Sequence, residues 1–530
     1  MKWNAGDNVF IQTQTGSGKT TFILEVLSEY AMQGGKEVLL LVNRKMLKNQ
    51  IKRELAIEHG MKEVTEEEIG GIRTFGGISV LSYQEIQEQL KRKPYPLGTF
   101  FEERFRYVVF DECHYILEDA LFNRDIQYLL QAIPKIQSAT RIFLSATLEE
   151  VFPFLVKILH IEQESVWKIS EMGVEHIYGF PQKFLGFNRI FLYLQEPEFK
   201  IHNIRYFRKP EEICEKINRD DTEDKWLIFV NSKSEAKKLK ENLEMEVSYL
   251  DADTDEDNLV KQQIERNSKF EGKVLITTKV LDNGVNLKDK DLKNIVLMTA
   301  EKTEFIQMYG RKRYAEGEEG MDLYVMERGA QYFNFLINKK IKPALNYIEE
   351  VHNDCIFRQE RFDDKDFYDF CQKMAIIKGE KITVSEAAEE KLRLNLESCS
   401  RMIEALKKNP HAFVVGQLTW IGRAEDFDKN KFLESEADKG KKEKIIKFMK
   451  ENKGKNFNKE EQEKFRKDFA ELAQAYGVKL TDRGSRLVGK AKINKFCEEE
   501  NILYRIKAVS NSKFWKIEEV EENAEKDICD

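Results

Sequence analysis

The sequence predicts an α/β fold in which two tandem lobes, each built on a parallel sheet, precede a helical region and a small basic module. Short apolar runs alternate with helical patterns along residues 1–155 and again along residues 206–328. The pattern becomes helical from residue 329, and the last hundred residues are rich in lysine. Alternating strands and helices are typical of parallel sheets, because each crossover between parallel strands needs a long connection. With 530 residues, the chain is long enough for several domains.

The first lobe, residues 1–155, contains short apolar runs that we expect to be buried strands, at residues 9–11, 38–42, 79–82, 107–110 and 141–144. A less regular connecting segment, residues 156–205, contains Gly179, Pro181 and Gly186. The second lobe, residues 206–328, repeats the alternation with runs at residues 226–230, 274–277 and 295–298. The repeat indicates two lobes of similar construction.

Helical patterns at residues 331–348 and 385–408 indicate that residues 329–425 form an all-helical appendage. Residues 426–530 combine helical patterns at 459–476 and 486–500 with short apolar runs at 502–506 and 514–517, and they end in an acidic tail. Helices followed by a small hairpin are typical of a winged-helix-like module.

The bulk composition argues against several classes of protein. The longest apolar stretch, residues 38–42, is far shorter than the roughly 20 residues that cross a bilayer. No charged segment followed by an apolar one marks a signal peptide, so we expect a cytoplasmic protein. The seven cysteines are scattered without a Cys-x-x-Cys pair, which argues against a zinc or redox site.

Charge is distributed unevenly along the chain. The whole sequence has a formal net charge of −7. Residues 439–516, however, hold about 22 Lys and Arg against about 11 Asp and Glu. A basic module is therefore attached to an acidic body, and this module is the part of the chain best suited to phosphate backbones.

A phosphate-binding loop follows the first predicted strand and precedes a helical pattern. Glycines let backbone N–H groups surround phosphates at a helix N-terminus, the lysine reaches the β and γ phosphates, and the threonine hydroxyl binds Mg²⁺. Thr13 stands where the strict motif has glycine. The expected ligands of ATP are Thr15, Gly16, Ser17, Gly18, Lys19, Thr20 and Thr21, with Thr20 also a ligand of Mg²⁺.

An acidic pair, Asp111-Glu112, ends the predicted strand at residues 107–110. A carboxyl pair at this end of a parallel strand meets the metal and the γ-phosphate of a bound nucleotide. We expect Asp111 to hold Mg²⁺ through its water shell and Glu112 to orient and deprotonate the attacking water.

Further motifs follow in both lobes. In the first they are Asn43-Arg44-Lys45-Met46-Leu47, Ser82-Tyr83-Gln84 and Ser145-Ala146-Thr147. In the second they are Phe229-Val230-Asn231-Ser232, Thr277-Thr278 with Asp282, Gly284 and Asn286, and Gln307-Met308-Tyr309-Gly310-Arg311. With the phosphate loop and the acidic pair, their order over residues 5–320 resembles that of superfamily 2 helicases of the DExH type, which are DEAD/DEAH-like. The resemblance implies two RecA-like lobes with the nucleotide between them.

The resemblance also implies roles for individual residues. The expected nucleotide contacts from the second lobe are Asp282, Gly284, Arg311 and Arg313, while Gln307 would act in catalysis and, with His114, would link the nucleotide state to closure of the lobes. Arg311 would be the finger that stabilises charge on the γ-phosphate. Residues that would couple hydrolysis to movement are His114, Ser145 and Thr147. Residues that would line the nucleic-acid groove are Arg44, Tyr83, Asn231 and Thr278, although Tyr83 alone is equally consistent with a core aromatic.

The family pattern has an arginine three residues after Arg311, and here Tyr314 stands there while Arg313 lies one residue earlier. In the basic module, Lys490, Lys492 and Lys495 could face a phosphate backbone from one helix. The alternative is a small helical domain with a solvated lysine face. Similar C-terminal modules occur in phage-related and plasmid-related bacterial ATPases, which favours DNA over RNA and leaves room for protein partners.

The expected function is an ATP- and Mg²⁺-dependent helicase or translocase that moves on or unwinds nucleic acid. The alternative is an ATP-gated clamp or sensor that grips nucleic acid without processive unwinding.

Overall fold

The computed structural model describes residues 3–14, 17–43, 45–61, 65, 68, 71, 74–92, 104–161, 166–170, 173–176, 189–195, 198–251, 253–255, 258–278, 286–315, 317–353, 365–476, 478, 480, 487–500, 502–509 and 514–520. The chain divides into two compact units, Met1–Phe432 and Leu433–Asp530. Within these described ranges, no helix has the length and apolar character needed to cross a membrane.

The first sheet contains the phosphate-loop strand near its middle. Its described strands are β1 (Asn8–Gln12), β2 (Glu37–Val42), β3 (Thr74–Phe75), β4 (Ile78–Ser82), β5 (Phe105–Phe110), β6 (Thr140–Ser145), β7 (Val166–Ser170), β8 (Gly173–His176) and β9 (Ile190–Leu194). They are ordered β3-β4-β2-β5-β6-β1-β9-β7-β8. All neighbours are parallel except the two edge pairs, β3 with β4 and β7 with β8.

Helices cover both faces of this sheet. The helix after β1, α1, comprises the consecutive segments Lys19–Thr21, Phe22–Leu27 and Ser28–Gln33, and the middle segment has π-helical geometry. The other helices of the lobe are α2 (Lys45–Glu58), α3 (Tyr83–Arg92), α4 (Tyr115–Glu118), α5 (Ile126–Ala132) and α6 (Val151–Ile158), with a 3₁₀ turn at Ile133–Lys135.

Side chains that alternate along the strands fill two separate cores. In β1, Phe10 packs with Val108 and Phe143 beneath α3 to α6, whereas Val9 packs with Ile142 on the opposite face, beneath α1 and α2. Burial on both faces explains why these strands are apolar throughout. The α/β class predicted from the sequence is confirmed in this lobe.

The second sheet is also parallel, in the order β10-β15-β14-β11-β13-β12. Its strands are β10 (Ile201–Phe207), β11 (Lys225–Phe229), β12 (Val247–Leu250), β13 (Val274–Thr277), β14 (Leu292–Leu297) and β15 (Met321–Met326). Its helices are α7 (Pro210–Asn218), α8 (Lys233–Asn242), α9 (Leu259–Asn267) and α10 (Lys302–Tyr309).

The interpretation of residues 156–205 as a connecting segment needs correction. β9 pairs with β1 at the centre of the first sheet, and β10 begins the second sheet. These strands were missed because each apolar run is short and follows an irregular stretch rich in glycine and proline. Both lobes therefore extend into the predicted connector.

The predicted appendage of residues 329–425 is built into both lobes. Its elements are α11 (the consecutive segments Ala330–Leu336, Ile337–Ile341 and Lys342–Asn353), α12 (Lys365–Met374), the hairpin strands β16 (Ala375–Lys378) and β17 (Lys381–Val384), α13 (Glu386–Lys408) and α14 (Ala412–Trp420). Two 3₁₀ turns follow, at Ala424–Asp426 and Lys429–Lys431. Phe333, Phe370 and Leu392 join the core of the first lobe, and Val414 and Leu418 join that of the second. The region is helical as predicted except for the hairpin β16–β17, and its helices share the cores of both lobes.

The unit Leu433–Asp530 has a hydrophobic core of its own, which includes Phe465, Phe469, Ile493, Phe496 and Ile517. Its elements are α15 (Glu436–Glu451), β18 (Asn456–Phe457), α16 (Lys459–Tyr476), α17 (Lys490–Glu499), β19 (Tyr504–Val509) and β20 (Phe514–Glu519). The three strands form an antiparallel sheet in the order β18-β20-β19. A helical region followed by a small antiparallel sheet agrees with the predicted fold class.

Candidate active site

The loop between β1 and α1 opens at the carboxyl edge of the first sheet. Its start is anchored by the Thr13 N–H, which donates to Ser145 O at 3.1 Å. Its end is the left-handed residue Gly18, with φ of 87°, directly before helical Lys19. A Cβ placed on Gly18 would meet no atom within 4 Å, so the backbone borders open space there. Thr15 and Gly16 lie outside the described residues.

Lys19 points from the helix start towards the acidic pair. Its Nζ lies 3.4 Å from Thr13 O and 3.6 Å from Glu112 Oε1. Of the other predicted loop ligands, Ser17, Gly18 and Thr21 are exposed and Thr20 is half-buried. Exposed backbone and hydroxyl groups around one lysine are suited to binding phosphate oxygens.

The acidic pair is held by backbone bonds to both neighbouring strands. Asp111 N donates to Leu41 O at 2.9 Å, and Cys113 N donates to Leu144 O at 2.8 Å. Between them, Glu112 adopts a φ of 50°, a left-handed conformation that is costly for a residue with a side chain. Glu112 N donates to Asp111 Oδ1 at 3.1 Å. This turn directs the two adjacent carboxyls into the same buried space.

Burial and neighbouring charges shift the pKa values of the two carboxyl groups in opposite directions. Burial, with the adjacent charge of Glu112, raises the pKa of Asp111 to about 6. Burial acts in the same sense on Glu112, but the positive charges of Lys19 and Arg311 outweigh it and hold the pKa of Glu112 below its usual value. Glu112 is therefore the carboxylate that stays ionised at lower pH, as a proton acceptor must.

The second lobe reaches this pair through Gln307 and Arg311. Gln307 Nε2 donates to Glu112 Oε2 at 3.2 Å. Arg311 Nη2 donates to Gln307 Oε1 at 2.6 Å, and Arg311 Nε donates to Gln307 O at 2.9 Å. Arg311 is only 2% exposed. The structure thus brings together Lys19, Asp111, Glu112, Gln307 and Arg311, which the sequence places up to 292 positions apart.

His114, Ser145 and Thr147 form one contiguous cluster. His114 Nδ1 lies 3.1 Å from Ser145 Oγ and 3.4 Å from Glu112 Oε2. Ser145 Oγ donates to Thr147 O at 2.8 Å and accepts from Thr147 N at 2.9 Å. Burial lowers the pKa of His114 to about 4, so its ring is neutral at pH 7. A neutral ring forms no ion pair with Glu112, and its Nδ1 is instead hydrogen-bonded to Ser145 Oγ.

The donor set fits a magnesium nucleotide. Thr20 offers a hydroxyl and Asp111 a carboxylate, and Mg²⁺ prefers such oxygen ligands. The open space at Gly18 leaves room for phosphates beside the helix start. These residues could therefore hold Mg²⁺ and the phosphate chain of ATP.

Arg313 lies next to the same cluster. Its Nη1 donates to Gly310 O at 2.9 Å. Burial, together with the positive charge of Arg311, lowers the pKa of Arg313 to about 10. Tyr314 Oη donates to Lys200 O at 3.1 Å. The two remaining predicted contacts of the nucleotide, Asp282 and Gly284, lie outside the described residues.

Tyr83 corrects one sequence-based expectation. Its ring is fully buried and stacks on Tyr115 with centroids 4.8 Å apart. Its hydroxyl donates to Asp111 O at 2.9 Å. A side chain with no exposed surface cannot touch a nucleic-acid strand, so the predicted contact is wrong. The side chain of Tyr83 instead stabilises the backbone at the acidic pair. A tyrosine that begins an amphipathic helix gives no signal in the sequence for this role.

The other predicted nucleic-acid residues are distributed over both units. Asn231 is exposed and its Nδ2 donates to Met298 O at 2.9 Å, while Thr278 is half-buried at the end of β13. On α17, Lys490 is half-buried and Lys492 and Lys495 are exposed. Arg44 lies outside the described residues.

Comparison with protein families matches both lobes. Residues 2–150 match the family described as "Type III restriction enzyme, res subunit". Residues 208–313 match the family described as "Helicase conserved C-terminal domain". The two matches cover the phosphate loop and acidic pair in the first lobe, and Gln307 and Arg311 in the second.

Similar proteins include two from yeasts. "ATP-dependent RNA helicase SUB2" of Kluyveromyces lactis is 25% identical over 326 residues, which is 58% of this chain and 68% of the relative. "ATP-dependent RNA helicase uap56" of Schizosaccharomyces pombe is 26% identical over 195 residues, 33% of this chain and 43% of the relative.

Two solved structures are also similar. S. cerevisiae Dbp5 bound to RNA and ADP BeF3 has a TM-score of 0.41 at 17% identity, covering 62% of this chain and 81% of that one. Mycobacterium smegmatis helicase Lhr bound to ssDNA and AMP-PNP has a TM-score of 0.39 at 13% identity, covering 74% and 58%.

Proposed function

We propose that this chain, an ATP hydrolase of the superfamily 2 helicase type, couples closure of its two lobes on ATP to movement along DNA. The observation that carries the proposal is the hydrogen bond from Gln307 of the second lobe to Glu112 of the first. That bond links the predicted proton acceptor directly to the lobe that must move. An ATP-driven motor requires such a link between the hydrolytic residue and the moving lobe.

In the proposed reaction, the loop of residues 15–21 and Lys19 bind the phosphates of ATP. Glu112 orients a water and accepts its proton as the oxygen attacks the γ-phosphorus and the bond to ADP breaks. Arg311 offsets the charge that develops on the γ-phosphate. Bound Mg²⁺, held by Thr20 and Asp111, would neutralise charge on the β and γ phosphates.

We assign the coupling role to the cluster of His114, Ser145 and Thr147. His114 contacts both Glu112 and Ser145, so a shift of Glu112 after hydrolysis would be felt in the segment that follows β6. Asp282, Gly284 and Arg313 remain proposed nucleotide contacts. Arg313 would compensate for the missing arginine at Tyr314.

DNA is proposed as the nucleic acid because the unit Leu433–Asp530 carries a basic helix. Lys490, Lys492 and Lys495 lie on one helix that precedes the β19–β20 hairpin. A lysine-bearing helix with a hairpin beside it is suited to a duplex backbone. Arg44, Asn231 and Thr278 would contact phosphate and sugar in the motor, which gives little sequence preference. The yeast relatives are named RNA helicases, which makes RNA the second candidate track.

The alternative is an ATP-gated clamp that binds nucleic acid tightly and hydrolyses ATP only to release it. The observation that favours it is Tyr314, which stands where the family pattern has a second arginine after Arg311. The hydroxyl of Tyr314 donates to Lys200 O. A clamp would hydrolyse about one ATP per binding event, whereas a motor would hydrolyse many.

The test is steady-state ATP hydrolysis by the full chain, alone and with single-stranded DNA, duplex DNA or single-stranded RNA. Stimulation by DNA at moderate salt supports the proposal, and stimulation by RNA alone reassigns the track. No stimulation by any polymer argues for the clamp. Unwinding of a forked duplex then separates a helicase from a translocase.

Two variants define the background of that assay. Glu112→Gln should lower turnover by at least about 100-fold while nucleotide binding persists, because it removes the proton acceptor and keeps its shape. Lys19→Ala should abolish nucleotide binding itself. Wild-type turnover by Glu112→Gln would show that another group accepts the proton.

A further inference from the structure

One buried lysine in the helical region faces carboxylates from both lobes. Lys391 lies on α13, and its side chain is 3% exposed. Its Nζ lies 2.7 Å from Glu118 Oε1 and 2.9 Å from Glu150 Oε2 in the first lobe. It also lies 3.4 Å from Glu301 Oε2 in the second. A single ammonium group therefore bridges the two lobes.

Each of the three carboxylates belongs to a segment next to the active site. Glu118 ends α4, the short helix that follows Asp111 to His114. Glu150 comes three residues after Thr147. Glu301 is the N-cap of α10, the helix that carries Gln307 and leads to Arg311. Lys391 thus pairs with residues that flank three of the motifs around the active site.

The electrostatics of this cluster require its cation. Carboxylate oxygens of Glu118, Glu301 and buried Glu304 lie within 4.8 Å of one another. Burial by itself would lower the pKa of Lys391, but the charges of Glu301, Glu118 and Glu150 hold it well above its usual value. Without the ammonium, carboxylates of the first lobe would repel those of the second across a poorly solvated gap.

The helix that carries Lys391 rests otherwise on the first lobe. Gln127 Nε2 donates to Glu386 Oε1 at 2.9 Å, and Lys157 pairs with Glu390 at 3.3 Å. The next helix, α14, reaches the second lobe, where Gln417 Nε2 donates to Thr299 O at 3.3 Å. The helical region is therefore placed to sense the separation of the lobes.

We propose that Lys391 is a positioning residue for ATP hydrolysis, which holds the lobes in the closed arrangement where Gln307 reaches Glu112. Through it, the helical region controls closure. This role rests on hydrolysis requiring closed lobes, and it is independent of which polymer is the track.

The test compares Lys391→Met with Lys157→Met in the full chain. Both changes replace an ammonium by a neutral side chain of similar length next to α13. Lys157 is 71% exposed and pairs only with Glu390 among the ion pairs of the described residues, so it has no role between the lobes. Turnover, KM for ATP and ADP affinity are measured above pH 8, because burial raises the pKa of Glu118 to about 8.

Lys391→Met should lower kcat about tenfold or more, which corresponds to about 1.4 kcal/mol in the barrier, with ADP affinity changed by less than about threefold. ADP affinity persists because the phosphate loop is intact. Lys157→Met should match the wild type in all three quantities.

A charge rescue separates positioning from simple loss of packing. Glu301→Gln alone leaves Lys391 paired with Glu118 and Glu150, so the fold is kept while the link to the second lobe is weakened. It should lower kcat by a smaller factor, about threefold. Adding Glu301→Gln to Lys391→Met removes the carboxylate of the second lobe that lies nearest to position 391 and should restore turnover towards the level of Glu301→Gln alone.

The proposal is overturned if Lys391→Met turns over like Lys157→Met. It is equally overturned if Glu301→Gln has wild-type turnover. That result decides the matter even if Lys391→Met fails to fold. A wild-type chain that hydrolyses no ATP would instead defeat the proposed function.

Discussion

Asp111 and Glu112 are adjacent in the chain, yet the surroundings push their pKa values apart. The backbone turn at Glu112 places both carboxyls near Lys19 and Arg311, whose positive charges outweigh burial at Glu112 but not at Asp111. Such a division lets one group hold a metal ion's water shell while the other accepts a proton. The identity of the residues was readable from the sequence, whereas this division depends on the turn.

The raised pKa of Asp111 predicts how nucleotide binding depends on pH. Below about pH 6 Asp111 gains a proton, so the Mg²⁺-dependent part of ATP binding should be lost as the pH falls through 6. Titration of ATP binding with and without Mg²⁺ measures this midpoint. Glu112→Gln removes the adjacent negative charge and should move the midpoint to lower pH. A midpoint unaffected by that substitution would contradict the assignment.

Tyr83 gives a second prediction for a single residue. Tyr83→Phe keeps the stacking on Tyr115 but leaves Asp111 O without its donor, which should lower the free energy of unfolding by about 1 to 3 kcal/mol. Chemical denaturation measures the loss, and Tyr30→Phe, at a position 53% exposed, is the control that should be neutral. The affinity for nucleic acid should not change. A weakened affinity would indicate that Tyr83 does contact the nucleic-acid strand.

What the sequence reveals about single residues depends on whether they follow a local pattern. Lys19, Asp111 and Arg311 were found because their neighbours form motifs with fixed spacing. Lys391 lies in no motif, and Tyr83 lies in a motif that predicted a different role, since the partners of both are distant in the chain and depend on packing. Their roles could be found only from contacts across the fold.

At the scale of elements, the prediction succeeded where a helix or strand has one strong periodicity. The helix Lys459–Tyr476 and the strand Val274–Thr277 have the predicted bounds. The strands Ile190–Leu194 and Ile201–Phe207 were missed, since their short runs lie beside turns and gain their stability from sheet neighbours. The hairpin Ala375–Lys378 with Lys381–Val384 was missed for the same reason.

The helix α17 supports a prediction about polymer binding. Replacing Lys490, Lys492 and Lys495 by glutamate should weaken DNA affinity by about tenfold or more and reduce its salt dependence, with basal ATP hydrolysis unchanged. Filter binding over a range of salt concentrations measures both effects. The matched control puts the same charge change on α15, at Lys444, Lys447 and Lys450, which are exposed. Equal losses in both variants would indicate a diffuse lysine surface instead.

At the scale of the whole molecule, two compact units with separate cores imply two cooperative structures. The second unit begins at Leu433 and has its own aromatic core, whereas the helical region before it shares the cores of both lobes. Composition indicated the basic unit, because charge changes abruptly there. It could not show that the helical region joins the motor, since buried helix faces look alike whatever they pack against.

This division predicts two transitions in thermal unfolding. ATP with Mg²⁺ should stabilise the unit Met1–Phe432 by about 2.7 kcal/mol at a concentration 100 times its dissociation constant, and leave the other transition in place. Scanning calorimetry of Glu112→Gln, which should consume the nucleotide only slowly, measures both. Lys19→Ala should show no shift, and a single transition that moves as one would mean that the units unfold together.

The π-helical segment Phe22–Leu27 lies one turn after the phosphate loop. It determines where the helix α1 can lose or gain a residue. A π segment is the form that an α-helix takes when one additional residue is accommodated within it. Deleting exposed Val26 would let the segment relax to α-helical spacing, while Lys19 and the buried Ala31 keep their faces. Elsewhere in the helix, the same deletion would rotate all that follows by about 100°. The helix beside the phosphate loop can therefore lose one residue within this segment without changing the direction of the side chains on either side.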